Sequence, residues 1–444
     1  MAVTGTVIFM TGVTGFLGKV LLEELLRQRS KYSLQKIFVL VRGRDGEDAV
    51  QRFAAVAQSE CFSRLPQGWR DSVTVVDGDL TKEECGISPA AQKAVTDSTT
   101  HIFNCAANVK FDSAVADAVD ANITSSLRIV QLAKTCPRLR RLVHTSTAYV
   151  AADQDVPLEE VLPRLPRSAT EVYQELLSHR NPASSIHPIL DECGYPNIYT
   201  LTKALAEHLV VEKAGSKVPL SIVRPSIISS SWKYPFPGWI DSGTGLAAFV
   251  MAIGSGAMRV VIGRADTMLD IIPVDEVARH LIEEAFPPST TADYSISPRI
   301  LFSTATLSHA ARLDSTTKGI VDHFCQSKTP FTIRQPKVRY SGPRNAAYRC
   351  HELMSHDAPL LAASAAFKLQ GKRKQAEKLL RLMRTLKFVN TVFEPYTLAT
   401  FDFRSSLQLS PGFDTDNYLT TINDGVEKHL MVKARRGKGT QAGK

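Results

Sequence analysis

Residues Thr6 to Thr11 form an apolar run that stops at a glycine-rich turn, Gly12-Val-Thr-Gly15-Phe-Leu-Gly18, and resumes as the helical pattern Lys19 to Arg27. A buried strand, a tight glycine turn and a helix in that order restrict the fold more than any other stretch. Such a turn aims backbone N–H groups and the positive end of a helix at one point. Gly12 and Gly15 let the backbone turn tightly and approach a pyrophosphate without a Cβ in the way, and Gly18 lets the helix lie close on the sheet. The turn therefore predicts a dinucleotide phosphate site built from Thr11, Gly12, Thr14, Gly15, Phe16, Leu17 and Gly18. Its spacing is GxxGxxG, which differs from the GxGxxG of the standard dinucleotide fingerprint.

Five further apolar runs follow: Lys36 to Val41, Val73 to Asp77, His101 to Cys105, Arg141 to Ser146 and Leu220 to Arg224. Helical patterns separate them. One, Ile123 to Thr135, stops at Cys136-Pro137, where proline ends a helix. Apolar strands alternating with amphipathic helices predict an α/β fold, a doubly wound parallel sheet of the Rossmann type. At 444 residues the chain exceeds one compact core. It divides on this reading into a dinucleotide-binding domain, residues 1–290, with substrate-binding insertions at 151–196 and 230–290, and a smaller, mainly helical C-terminal domain, residues 291–444. The boundary falls near Pro287 to Thr291, after which the alternation of strand and helix is lost.

The net charge of +9 is unevenly distributed. Lys372 to Lys387 holds seven Lys/Arg against one Glu, and Lys433 to Lys444 holds five Lys/Arg and no acid, so the rest of the chain is slightly acidic. A nucleic-acid binder is not indicated. Leu379, Leu380, Leu382, Met383 and Leu386 share one face of a helix whose other face is Lys374, Lys378, Arg381 and Arg384. That pattern suits peripheral contact with an anionic membrane through the 372–387 helix. The seven cysteines are scattered and contain no CxxC pair, which excludes a disulfide framework and fits a reducing compartment. Neither a signal peptide nor a membrane-spanning stretch is expected, which points to a cytoplasmic-face protein, soluble or peripherally membrane-associated. The oligomeric state is not legible.

Other residues carry the chemistry. The second strand ends in Arg42-Gly43-Arg44, two guanidinium groups where an NAD enzyme holds a carboxylate, so the 2′-phosphate of NADPH is favoured. Asp79 after the third strand can accept a hydrogen bond from the adenine amino group, with Leu80 packed on the ring, and the small Ala106 after the fourth leaves room for the cofactor. Tyr199-Thr-Leu-Thr-Lys203 follows the hydroxyl run Thr145-Ser146-Thr147, and residues four apart share a helix face. Lys203 can then bind the nicotinamide ribose, and its ammonium, joined by the positive nicotinamide ring after hydride loss, lowers the Tyr199 phenol and makes it a proton donor near neutrality. The same spacing occurs at Tyr32 and Lys36, on the wrong side of the cofactor. Pro225 is expected as a wall near the nicotinamide, and Cys105 as core packing. His351 and His356 have one residue too many between them for a zincin helix, and no metal site is expected.

Taken together these segments resemble an extended short-chain dehydrogenase/reductase, and within that superfamily the fatty acyl-CoA reductases, called male sterility proteins in plants. The resemblance rests on Thr11 to Lys19, Leu40-Val-Arg42, Asp77-Gly-Asp79-Leu80, Asn104-Cys-Ala-Ala-Asn108-Val-Lys-Phe111-Asp112, Thr145 to Val150 and Tyr199 to Lys203. More telling are Arg224-Pro-Ser226, Pro237-Gly-Trp-Ile-Asp241 and Ile271-Ile-Pro-Val-Asp275, which epimerases of this fold do not normally carry. Tyr396 to Met431 is similar to the family's small C-terminal domain, although Thr400-Phe-Asp-Phe403 stands where a tryptophan-rich pattern is expected. The resemblance implies an NADPH-dependent reduction of a long-chain fatty acyl-CoA to a fatty alcohol through a hemithioacetal and an aldehyde, as in wax biosynthesis. It assigns the catalytic hydroxyl to Thr147, the acid to Tyr199 and its partner to Lys203. The competing expectations are a thioester reductase that releases aldehyde, a sugar-nucleotide epimerase or dehydratase, and a non-enzymatic NADPH-sensing protein in which Tyr199 and Lys203 are dispensable.

Overall fold

The computed structural model describes residues 5–44, 46–150, 157–178, 185–287, 297–327 and 333–432. Among them, seven strands form the main sheet: β1 (Thr6–Thr11), β2 (Leu34–Val41), β3 (Val73–Asp77), β4 (His101–Asn104), β5 (Arg141–Thr145), β6 (Leu220–Pro225) and β7 (Arg299–Ser303). Their spatial order is β7-β6-β5-β4-β1-β2-β3 and every pairing is parallel. Parallel strands need crossovers, and the crossover helices cover both faces. Ile8 and Met10 of β1 point into a layer with α1 (Phe16–Arg27), while Val7 and Phe9 point into a layer with α2 (Ser125–Lys134) and α3 (Ile198–Ala214). The order reverses between β1 and β4, and the carboxyl ends of those two strands open the crevice in which such sheets bind ligands.

The strand positions follow the apolar runs closely. β4 and β5 each stop one residue earlier than expected, β2 begins two earlier, and β6 reaches Pro225. The seventh strand corrects the expectation that the alternation is lost after Pro287: β7 pairs with β6 from Arg299↔Ser221 to Ser303↔Pro225. It is a five-residue edge strand whose first two residues are only partly covered, so its apolar signal is short. Of the expected boundary at Pro287 to Thr291, residues 288–291 lie outside the described set, as does the basic tail 433–444.

A second core also draws on both sides of that boundary. It combines α4 (Leu246–Gly254) with α6 (Leu313–Gln326), α8 (Arg373–Leu398) and α9 (Thr415–Val426). Short ladders knit the same parts together: Val260–Val261 with Arg339–Tyr340, and Met268–Leu269 with Ala311–Arg312. Helix α5 (Val274–Ala285) returns the chain to the sheet and packs beside α1. Helix α7 (Ala358–Leu369) forms a hairpin with α8, closed by Ser364 Oγ donating to the Ala376 carbonyl at 3.3 Å.

One buried ion pair ties the two layers together. Arg224 on β6 donates through Nε and Nη2 to the two carboxylate oxygens of Glu207 on α3, at 2.9 and 2.6 Å, and through Nη2 to the Val161 carbonyl at 2.8 Å. Side-chain exposure is 1% for Arg224 and 0% for Glu207. Removing either partner strands a charge in the core. Glu207→Ala should therefore lower unfolding free energy by about 3–5 kcal/mol in urea titration, whereas the pair Glu207→Leu with Arg224→Met recovers most of the loss. Equal stability of Glu207→Ala and wild type would show that the pair holds nothing.

Candidate active site

The glycine turn adopts the geometry a dinucleotide requires. Gly12 sits at φ +78°, a left-handed conformation, and a Cβ there would lie 2.7 Å from the backbone of Cys105 and Ala106. A Cβ on Gly18 would lie 2.1 Å from the Gly12 carbonyl oxygen. Gly15, whose N–H donates to that carbonyl at 2.9 Å, caps α1 without a side chain. The first turn of α1 contains no acidic residue. Its free N–H groups and positive end thus face the crevice at the sheet's switch point, a cradle that fits a pyrophosphate. Thr14, Phe16 and Leu17 are half-buried beside it. Thr11 takes a different part from the one expected. Its side chain is fully buried, donating to Asn104 Oδ1 at 2.8 Å and accepting from the Ala106 N–H at 3.2 Å, so it supports the turn from beneath and presents no hydroxyl to a ligand.

The segments Pro237 to Asp241 and Ile271 to Asp275 buttress this turn. Trp239, almost fully buried, stacks on Phe16 with ring centroids 5.4 Å apart, and Asp241 pairs with Lys19 at 2.9 Å. Lys19 Nζ also donates to the Thr14 carbonyl at 3.0 Å. Asp275, at the start of α5, accepts the backbone N–H groups of Trp232, Lys233 and Tyr234 at 2.8, 2.8 and 3.0 Å. Burial raises its carboxyl to about 6, against the pull of those three donors. Sequence reasoning knew these segments only as resemblance; the structure supplies their physical task.

At the adenosine end, Arg42 stands half-exposed with its guanidinium 3.6 Å from Asp79. Arg44 lies on the exposed turn closed by its backbone bonds with Glu47. Burial acts upward on Asp79, but hydrogen bonds from Thr81 and the charge of Arg42 outweigh it and hold the carboxyl below its ordinary range. Oδ1 takes both Thr81 donors, at 3.0 and 2.8 Å. Leu80 is half-buried, its carbonyl accepting from Arg128 at 2.9 Å.

The two hydroxyls expected to carry the chemistry, those of Thr147 and Tyr199, come together where β5 ends and α3 begins. Asn197 caps α3, its side chain accepting from the Thr200 N–H at 2.9 Å, and this places Tyr199 in the first turn. Thr147 is buried, close to the Pro225 carbonyl, and hydrogen-bonds with the Tyr199 side chain. Lys203 is buried one turn along α3 and donates to the Thr145 carbonyl at 2.5 Å. One expectation is not met in the protein alone. The Tyr199 phenol is pushed up to about 12 by burial, the hydrogen bond with Thr147 opposing only part of that, and Lys203 does not draw it down. Instead Lys203 itself is lowered to about 8, burial outweighing the nearby Glu207 carboxylate. The ammonium is turned to a backbone carbonyl, so its charge is not directed at the phenol.

Four aromatic residues around the hydroxyls were not singled out from sequence as site residues. Phe111 meets Tyr199 edge-on at 5.4 Å, and Tyr149 meets Tyr396 of α8 at 4.5 Å and Phe401 at 5.2 Å. All four lie inside segments already quoted, but Tyr396 and Phe401 are some two hundred residues from Tyr199 and no local signal links them to it. Burial pushes the Cys105 thiol up to about 11, so it stays protonated at neutral pH and is a poor nucleophile. His356 is buried and accepts from the Arg259 N–H at 2.8 Å, while His351 lies beside Arg339. Among the described residues no group of three His, Cys, Asp or Glu side chains is placed to hold a metal, and no helix is long and apolar enough to cross a membrane.

The male sterility protein family model matches residues 10–281. Fatty acyl-CoA reductase 1 of Homo sapiens is 30% identical over 390 residues, which cover 87% of this chain and 74% of the human protein. Fatty acyl-CoA reductase 2 of Homo sapiens is 29% identical over 465 residues, covering 98% and 86%. Among solved structures, the terminal R domain from the myxalamid PKS-NRPS biosynthetic pathway has a TM-score of 0.64 at 18% identity, covering 98% of this chain and 92% of that one. UDP-N-acetylglucosamine 4-epimerase from Methanobrevibacter ruminantium M1 has a TM-score of 0.56 at 14% identity, covering 97% and 99%. These two share the fold.

If the glycine turn holds a dinucleotide, Gly12→Ala should weaken binding of NADPH at least about tenfold in isothermal titration, because the new methyl group meets backbone on β4's side of the crevice. Far-UV circular dichroism would show the fold retained. Undiminished binding in a folded variant would remove the turn from the cofactor site.

Proposed function

The chain belongs to the male sterility protein family, and from that premise we propose that it reduces a long-chain fatty acyl-CoA to the fatty alcohol with NADPH. The observation that carries this reading is the meeting of the Thr147 and Tyr199 hydroxyls above buried Lys203, beside the switch-point crevice. The thioester carbonyl lies against the two hydroxyls, whose hydrogen bonds stabilise the oxyanion as it forms. When bound, NADPH supplies one hydride to the thioester carbon and, in a second round, one to the aldehyde carbon. Collapse of the hemithioacetal oxyanion breaks the C–S bond and expels CoA as the thiolate, which takes a proton from solvent, leaving the aldehyde. In the second round Tyr199 gives its proton to the alkoxide, forming the alcohol. A phenol held at about 12 remains protonated throughout the neutral range, and the Lys203 ammonium one turn away is the group expected to hold the nicotinamide ribose.

Preference for NADPH over NADH is supported by Arg42 and Arg44 at the end of β2, the Arg42 side chain being half-exposed while it pairs with Asp79. The same reading gives the α7–α8 hairpin a role at anionic lipid. Its basic residues from Lys372 to Arg384 are exposed, and Leu369 at the turn is 90% exposed. The apolar stripe of α8 is not the contact surface, because Ala376 and Leu386 are buried and the leucines between them are half-covered.

The direct test is incubation with palmitoyl-CoA and either NADPH or NADH, followed by identification of the product. Alcohol formed at the expense of two NADPH is expected, and aldehyde as the end product would replace the proposal with its nearest rival. Tyr199→Phe should lower kcat about 10²–10⁴-fold while leaving NADPH affinity within about threefold; full turnover by this variant would end the assignment.

The pH profile gives an independent check. Lys203 acts as an ammonium, and its acidity constant in the free protein lies at about 8. The active form is complete below that value and is lost as pH rises through it. The plot of kcat/KM should be level near pH 6.5 and fall on the alkaline side with an apparent pKa close to 8. A level profile to pH 9.5 would contradict this role for Lys203.

A further inference from the structure

We propose that the cavity between the start of α3 and the end of α8 receives the acyl chain of the substrate, and that Tyr396 sets the length of chain it accepts; this rests on the acyl-CoA reading above. The cavity measures about 370 Å³, within the range of roughly 300–1,000 Å³ typical of small-molecule sites. Its wall includes Tyr149, Tyr195, Pro196, Pro395, Tyr396 and Phe401.

The cavity adjoins the candidate hydroxyls through Tyr149 and Thr200, although neither Thr147 nor Tyr199 is part of its wall. Tyr149 lies two residues beyond Thr147, and its N–H approaches the Thr147 hydroxyl at 3.4 Å. Thr200, also on the wall, follows Tyr199 directly. From the phenol outward the rings form a continuous path: Phe111 is 5.4 Å from Tyr199 and 6.4 Å from Tyr396, which is 4.5 Å from Tyr149. A carbonyl held at Thr147 and Tyr199 thus has an aromatic path beside it.

Apart from the exposed Asp191, the lining suits methylenes. The Tyr195 hydroxyl is already used, donating to the Val150 carbonyl at 2.8 Å, so the ring faces the cavity without an unmet donor. The Tyr396 hydroxyl lies toward Asn197, the cap of α3, while its ring is part of the cavity wall. Pro395 contributes a ring and no N–H. Each methylene that such a wall covers strengthens binding about fourfold. Tyr396 is itself buried and backed by Phe403 and Leu158 in one cluster, so it forms an end wall and not a mobile rim.

The test reads the ratio of kcat/KM for palmitoyl-CoA to that for octanoyl-CoA, with NADPH binding measured on every variant. Tyr396→Ala, which removes the ring, should change this ratio at least tenfold, and Tyr396→Phe, which keeps the ring, should stay within twofold of wild type. Should Tyr396→Ala fail to bind NADPH, Tyr396→Leu takes its place and should show the same direction of change. A ratio within twofold of wild type in a folded Ala or Leu variant overturns the pocket while leaving the reductase intact. The two proposals separate further with S-hexadecyl-CoA, a thioether that cannot be reduced. Binding that Tyr396→Ala weakens or strengthens at least tenfold supports the pocket even if palmitoyl-CoA is never turned over, whereas equal binding to wild type and variant counts against it.

Discussion

Three charges lie buried in a row: the ammonium of Lys203 and the carboxylate of Glu207 one turn apart on α3, and the guanidinium of Arg224 on β6. Ionised groups in a core are tolerated only when opposite charges and hydrogen bonds meet them. Lys203 has the Thr145 carbonyl and the nearby Glu207, and Glu207 has both nitrogens of Arg224. The row therefore sets the rotation of α3 against the sheet, and with it the direction in which Tyr199 leaves the first turn. It also reaches the 157–178 segment, because Arg224 donates to the Val161 carbonyl.

Much of the sheet was legible in the sequence because parallel strands buried on both faces read as uninterrupted apolar runs, and six of the seven did so. β7 was missed for the opposite reason, being a short edge strand covered over only part of its length. The glycine turn was legible in full, since the constraint there is local: a left-handed residue at Gly12 and a close backbone approach at Gly18. Thr11 shows the limit of local reading. A hydroxyl beside the glycines seems a ligand contact until the neighbouring strand supplies Asn104 and Ala106 to use it.

The acidity of Tyr199 in the protein alone was not legible, because spacing on a helix places Lys203 but not the direction of its ammonium. A backbone carbonyl at the end of β5 captures that group, and burial then governs both side chains. The aromatic wall was illegible for another reason: Tyr396 and Phe401 come from the far end of the chain, and nothing in their surroundings names the helix they will meet. The basic helix was half legible. Its amphipathic pattern was correct, but the apolar stripe meets the second core and α7, leaving the charged side and the hairpin turn to the solvent.

The interleaving of the two cores has a consequence for how the molecule comes apart. The chain leaves the sheet after β6, contributes α4 to the second core, returns with α5 and β7, and leaves again; Leu158 and Phe403 bridge the two parts once more. No single cut separates a nucleotide half from a substrate half. Contacts of such long sequence separation are slow to form, and disturbing either core removes packing partners from the other. For the same reason, fragments ended near residue 290 would lack both an edge strand and the partners of α4, and they are poor stand-ins for a Rossmann domain.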